Sequence, residues 1–109
     1  MRAYELHPRD GLAALTLVDR DPPALGSHDV RVRVRAVALN YRDLSVARAA
    51  YRRQAPGQPI VPCSDGAGEV IEVGSQARRV QVGDRVAAIF FPEWLDGGFA
   101  AVHHTKALG

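Results

Sequence analysis

The stretch PCSDGAGEV, Pro62 to Val70, sets a lone cysteine, a serine, a carboxylate and two glycines within nine residues. Those residue types fit four kinds of chemistry or structure: a metal site, a nucleophile, a phosphate-binding loop, or a tight bend. Each requires different company in the rest of the chain.

A dinucleotide loop needs three glycines spaced G-x-G-x-x-G between a strand and a helix, so that backbone amides approach a pyrophosphate at the helix N-terminus. Gly66 and Gly68 begin that spacing, but Ile71 takes its third place and the segment after it reads as strand. A strained nucleophile elbow needs glycine two places either side of its serine. Ser64 has Gly66 after it and Pro62 before it, so it reads as a turn serine. A reactive thiol needs neighbouring cations or a helix N-terminus; Cys63 reads as a small buried residue. A structural zinc site takes about four Cys or His ligands and a catalytic one about three. One cysteine and four scattered histidines, His7, His28, His103 and His104, are a poor inventory, and adjacent histidines on a strand point to opposite faces. No metal site is expected.

The elements that must position these residues are mostly strands. In DVRVRVRAVALN, Asp29 to Asn40, Val30, Val32, Val34, Ala36 and Ala38 fall on one face and Arg31, Arg33 and Arg35 on the other, the alternation of a half-buried strand. A short helix follows, with Asn40 or Asp43 as its cap and Leu44, Ala47 and Tyr51 on one side; it stops before QAPGQPIVP, where prolines remove backbone donors. GEVIEVG and GDRVAAIFF read as an antiparallel pair, the second entered through a Gly83-Asp84 turn, with SQARRVQ on the surface between them. Gly66 and Gly68 allow close strand packing, and Asp65 braces the turn before them. DGGFAAVHH reads as a last strand, and YELHPRDGLAALTLVD as two strands around Asp10-Gly11 with Leu15, Leu17 and either Leu12 or Ala13 inward. The pattern predicts a small, mainly β barrel or sandwich with one short helix.

Composition agrees with one domain. The chain has 109 residues, 47% of them apolar, and its fourteen Lys and Arg nearly balance twelve Asp and Glu. A formal charge of +2 is too mild to argue nucleic-acid binding; the stripe of Arg31, Arg33 and Arg35 reads first as a solvated face. One cysteine forms no internal disulfide, and the N-terminus lacks the apolar core of a secretory signal. The longest apolar run, Val86 to Phe91, is far below the roughly 18 residues of a membrane span. The expected location is cytoplasmic, with no membrane partner.

Taken together, ALNYRDL, PIVPCSDGAGEVIEVG, VQVGDRVAAIF and GGFA resemble, in order and spacing, the N-terminal half of medium-chain dehydrogenases/reductases. The resemblance runs from about Ala24 to Ala100. It implies the GroES-like, partly open β-barrel with one or two short helices. In the zinc alcohol dehydrogenases of that family a cysteine ligand stands where this chain has Asn40, and a histidine ligand comes from a block that here reads Cys63-Ser64-Asp65. The pattern looks like the zinc-independent branch, the NADPH-dependent quinone oxidoreductases and enoyl reductases.

The resemblance therefore implies NADPH as cofactor, no zinc, and a quinone or conjugated carbonyl compound as hydride acceptor. It places Asn40 and Tyr41 at the reacting end as catalytic residues, with Asn40, Arg42 and Asp43 on the cofactor side. Hydrogen-bond donors such as the Asn40 amide or the Tyr41 phenol would polarise the acceptor carbonyl, and Tyr41 or water would supply the proton. The alternative roles are structural, with Asn40 and Asp43 as helix caps, Tyr41 as core wall and Arg42 as surface charge. The family holds its cofactor chiefly in a second, Rossmann-type domain, which residues 1–109 are expected not to include. The isolated chain would then be one wall of an active site. A different class of function, a non-enzymatic association module, would use Phe90, Phe91 and Trp94 as a self-associating apolar patch; nucleic-acid binding ranks last.

Overall fold

The computed structural model describes residues 1–7, 11–48, 59–104 and 107–108. Strand β1 (Arg2–Glu5) pairs antiparallel with β2 (Thr16–Asp19), Ala3 opposite Val18, and the link between them includes a short 3-10 turn at Leu12–Ala14. Gly11 enters that turn at φ 69, where a side chain would be strained. The two predicted strands are present, but their inward set differs. Leu12, Leu15 and Leu17 are exposed, Ala13 is too, and the half-buried residues of the two strands are Ala3, Glu5 and Val18. The register decides this: Ala3 faces Val18, which leaves Tyr4 and Leu17 together on the solvent side.

A second sheet has the order β3-β4-β5, all antiparallel, from β3 (Val30–Ala38), β4 (Asp65–Val73) and β5 (Arg85–Ala87). The valine and arginine alternation does make β3 a strand. Its register slips between Arg31 and Val32 and again between Val34 and Ala36. The first slip leaves Ile71 of β4 without an opposite residue and the second leaves Arg35 of β3 without one, and an inserted residue breaks the period of two in the strand that carries it. Only Val30, Arg31 and Val32 are half-buried, while Val34 is 60% exposed, so the expected continuous inward face is not formed. On the other side of the strand Arg31 pairs with Glu72, and Arg35 reaches Glu69 at 3.3 Å. Cross-strand pairs of this kind on an exposed face add little stability individually.

The glycines of the opening stretch lie inside β4 rather than before it. Gly68 has no room for a side chain, whereas Gly66 has its nearest neighbour 3.9 Å from where a Cβ would stand, so close packing explains the first and not the second. Gly83 turns the chain at φ 95 into β5, and Asp84 fastens the turn by accepting the Gln81 N–H at 2.9 Å.

Just past β1, Leu6 forms an isolated bridge with Ile60, the two exchanging backbone hydrogen bonds of 2.9 and 3.0 Å. Leu6 and Ile60 are buried there with Val46 and Ala47 of helix α1 (Tyr41–Ala47). The helix side predicted from spacing does carry Ala47 inward, with Val46 rather than Leu44 as the deeper neighbour; Tyr51 and most of QAPGQPIVP lie outside the described residues. The expected last strand is instead a helix, α2 (Ala101–His104). His103 turns its ring back so that Nδ1 accepts the Ala100 N–H at 3.0 Å, and His104 packs against Phe91 and Phe99. A side-chain acceptor for the N–H at its start favours a helical turn over strand. No helix among the described residues is long and apolar enough to cross a membrane. Mainly strand, two short helices and open sheets is the architecture the sequence led us to expect.

Candidate functional site

Strand β3 ends at Ala38, whose partner across the ladder is Asp65, the first residue of β4. Two residues further on, Asn40 caps α1. That register brings two stretches separated by 25 positions to one place, and the Asn40 side chain donates its Nδ2–H to Asp65 Oδ2 at 2.6 Å. The Asn40 backbone N–H donates to Asp43 Oδ2 at 2.7 Å, the returning arm of a capping box, and the Asp43 N–H reaches the Asn40 carbonyl at 3.0 Å. Asn40 is thus held through its backbone by the helix and through its side chain by the sheet.

The four predicted site residues separate into two groups. Asn40 and Asp43 meet, with Asp65 as a third member that the sequence reading had assigned only to bracing a turn. Its signal was the register of β3 on β4, which alternation alone does not give. Tyr41 follows Asn40 and is 77% exposed, so it is no wall of the core. Arg42 turns elsewhere: its guanidinium lies 5.0 Å over the Phe90 ring, tying α1 to the segment after β5.

Cys63 stands beside this cluster. It is half-buried and is, among the described residues, the one non-glycine residue with positive φ, at 78. The chain bends there, and Ser64, next in line, is 3% exposed. The tight bend is therefore the member of the four readings that the backbone displays. Burial, and after it the negative charge of Asp43, push the Cys63 thiol above its ordinary value. A thiol so placed is the opposite of an activated nucleophile. Among the described residues no three or more His, Cys, Asp or Glu side chains stand together as a metal-holding group.

A second cluster is aromatic. Phe91 lies 4.2 Å from Phe90, 5.0 Å from Phe99 and 5.7 Å from the His104 ring, and Trp94 stacks on His103 at 6.0 Å. Phe99, His103 and His104 belong to this cluster because the helical turn at 101–104 folds them back, where a strand would not.

Comparison with known proteins gives this geometry its family. Residues 26–105 match the alcohol dehydrogenase GroES-like domain. The chain is 42% identical over 89 residues to a zinc-type alcohol dehydrogenase-like protein of Schizosaccharomyces pombe, covering 81% of this chain and 25% of that protein. It is 46% identical over 77 residues to a quinone oxidoreductase of Pseudomonas aeruginosa, covering 71% of this chain and 23% of the relative. Among solved structures, an alcohol dehydrogenase-type protein of Sinorhizobium meliloti superposes with a TM-score of 0.80 at 36% identity, over 99% of this chain and 31% of its own. A mycobacterial protein solved in complex with NADPH superposes with a TM-score of 0.70 at 28% identity, over 81% of this chain and 27% of its own. The chain spans about a quarter of the length of the curated relatives it matches. On the family match, the relatives and the shared fold together, this chain belongs to the alcohol dehydrogenase GroES-like domain family.

Proposed function

We propose that residues 1–109 are the acceptor-side catalytic domain of an NADPH-dependent oxidoreductase that reduces quinones or conjugated enones by hydride transfer without zinc, acting in the cytoplasm together with a Rossmann-type cofactor domain. The observation that carries this reading is Asn40. It lies at the exposed junction of β3 and α1, its backbone and side chain are both anchored, and the exposed Tyr41 hydroxyl follows it in the chain. The quinone oxidoreductase relative and the NADPH complex of a structural neighbour support the reaction class and the cofactor.

Zinc does not suit the residues present. Asn40 brings only a neutral amide, a weak zinc ligand, and the raised Cys63 thiol supplies little thiolate. NADPH suits them better, since an amide and a phenol exposed side by side can meet hydroxyl, amide or carbonyl groups. The cofactor's contribution is the hydride. This chain's contribution is to hold the acceptor carbonyl. The free Asn40 N–H donates to that oxygen as negative charge develops on it, and Tyr41 or water delivers one proton. Hydride plus proton converts a quinone to its hydroquinone, or saturates the enone double bond.

The test is a transplant. This chain would replace the matching segment of the Pseudomonas aeruginosa quinone oxidoreductase, and NADPH oxidation by a quinone would be followed by absorbance. The hybrid should be active, and Asn40→Ala should lower kcat about a hundredfold, as loss of one donor to a developing oxyanion does. An inactive hybrid that is folded, or activity that disappears with a zinc chelator, would overturn the reading.

A second reading has its own observation. Trp94 and Phe99 are 39% and 44% exposed on the aromatic cluster, a surface fit for a second copy of the chain.

A further inference from the structure

We infer that Asp65 is a positioning residue, one that fixes which end of the Asn40 carboxamide is offered to the ligand. The inference rests on the functional reading above and adds a residue to it.

A terminal amide has two ends of nearly equal size and opposite hydrogen-bonding character, and rotation about its last bond exchanges them. At an exposed position nothing steric prevents that exchange. A carboxylate does, because it only accepts: the NH2 end is drawn to it and the carbonyl end is repelled. Asp65 Oδ2 lies 2.6 Å from Asn40 Nδ2, a short, charge-assisted bond. The backbone of the same residue is fixed independently, by Asp43 Oδ2 at 2.7 Å from the Asn40 N–H. With the backbone held by α1 and the amide held by β4, the direction of Oδ1 and of the second N–H is set before any ligand arrives. The register of Ala38 on Asp65 is what brings the carboxylate within reach.

Donation to the carboxylate also moves electron density toward Oδ1, strengthening it as an acceptor. The capping box turns the acceptor end of the Asn40 side chain toward the Asp43 backbone N–H, so the ligand group that suits this presentation is a carbonyl oxygen for the remaining N–H. Asp65 itself need not touch it.

Asp65→Asn is the discriminating variant. It keeps the shape and the hydrogen bond but can accept or donate, so Asn40 is no longer held one way round. Asp65→Glu keeps the charge. In the 15N-labelled chain the Asn40 side-chain amide proton that faces Asp65 should lie downfield of its position in D65N, because a charge-assisted bond to a carboxylate deshields it. In the transplanted enzyme D65N should lower kcat about tenfold with an unchanged thermal midpoint, the equivalent of one hydrogen bond to a charged group, and D65E should recover part of the loss.

Asn40 amide protons unmoved by D65N, or a D65N enzyme with the parent's kcat, would overturn the inference while leaving the proposed reaction in place. A hybrid inactive with Asp65 and Asn40 both present would remove the reaction, and the positioning role with it.

Discussion

Gly68 on β4 lies directly against Arg33 on β3: a Cβ at Gly68 would stand 2.2 Å from the Arg33 carbonyl oxygen and 2.8 Å from its carbonyl carbon. Both are backbone atoms of a paired strand, which cannot swing aside as a side chain could. Gly68→Ala should therefore cost about 3 kcal/mol, the upper end of ordinary overpacking. Gly66→Ala, whose Cβ would meet only the Ala36 oxygen at 3.9 Å, should cost about 1 kcal/mol or less. Urea denaturation of the two variants measures the difference, and equal midpoints would show that the strands do not approach so closely. Because this same pairing delivers Asp65 to Asn40, G68A should also disturb the Asn40 amide resonances.

The buried cluster under α1 is small enough for one residue to matter. Leu6 is 1% exposed and shares its burial with Val46, Ala47 and Ile60. Leu6→Ala should lose about 3 kcal/mol, the transfer and cavity cost of a buried leucine. Set against a typical total of roughly 5–15 kcal/mol, that is a large share. Leu17→Ala, on the solvent side of β2, should stay within about 0.5 kcal/mol. Thermal melts followed by circular dichroism would separate the two. A similar loss for both would place the core elsewhere.

Which parts of this were legible in the sequence follows from what local patterns can encode. The β-branched runs gave β3, β4 and β5, and the glycines with positive φ gave the turns at Gly11 and Gly83, because these are preferences of single residues and their neighbours. Asn40 as a cap was legible for the same reason. The bulges between β3 and β4 were not, since an inserted residue is defined only by the partner strand. The Asp65 to Asn40 bond was hidden likewise: each residue could be singled out, but their meeting depends on register across 25 positions. The misreading of 101–104 as strand has a local cause. AAVHH mixes two alanines, which favour helix, with a β-branched valine and two histidines, so its composition is ambiguous, and the deciding hydrogen bond, from the Ala100 N–H to His103 Nδ1, appears only once the turn has formed.

Cys63 gives a prediction in pH. Its thiol is pushed up first by burial and then by the charge of Asp43, so at a given pH less thiolate is present than in the unfolded chain. Alkylation by iodoacetamide at mildly alkaline pH should be slower in the folded protein than in urea. Asp43→Asn removes the second cause and should quicken it, though not to the unfolded rate. The sign for stability follows from linkage: the folded state holds the proton more tightly, so the contribution is present below the ordinary thiol range and is lost as pH rises through it. Cys63→Ser should flatten that alkaline decline. Faster labelling in the folded state would mean that the thiol is activated instead.

The aromatic cluster yields the last prediction, and a test of the second functional reading. Trp94 is tied inward, its Nε1–H donating to the Gly97 carbonyl at 3.1 Å and its ring stacked on His103, yet part of it remains open to solvent beside Phe99. Leu95, next in the chain, is exposed as well. Apolar area gathered in this way gains free energy when covered, at about 25 cal/mol for each Å² removed from water. A second copy is the partner always available to a purified chain, so the apparent mass by light scattering should rise with concentration. Trp94 is the chain's one tryptophan, and its emission should shift to the blue over the same range. Leu95→Glu should keep the protein monomeric without changing its melting temperature, because Leu95 packs little in the single chain. A constant monomer mass at every concentration, with unshifted Trp94 emission, would leave the enzymatic reading alone in the field.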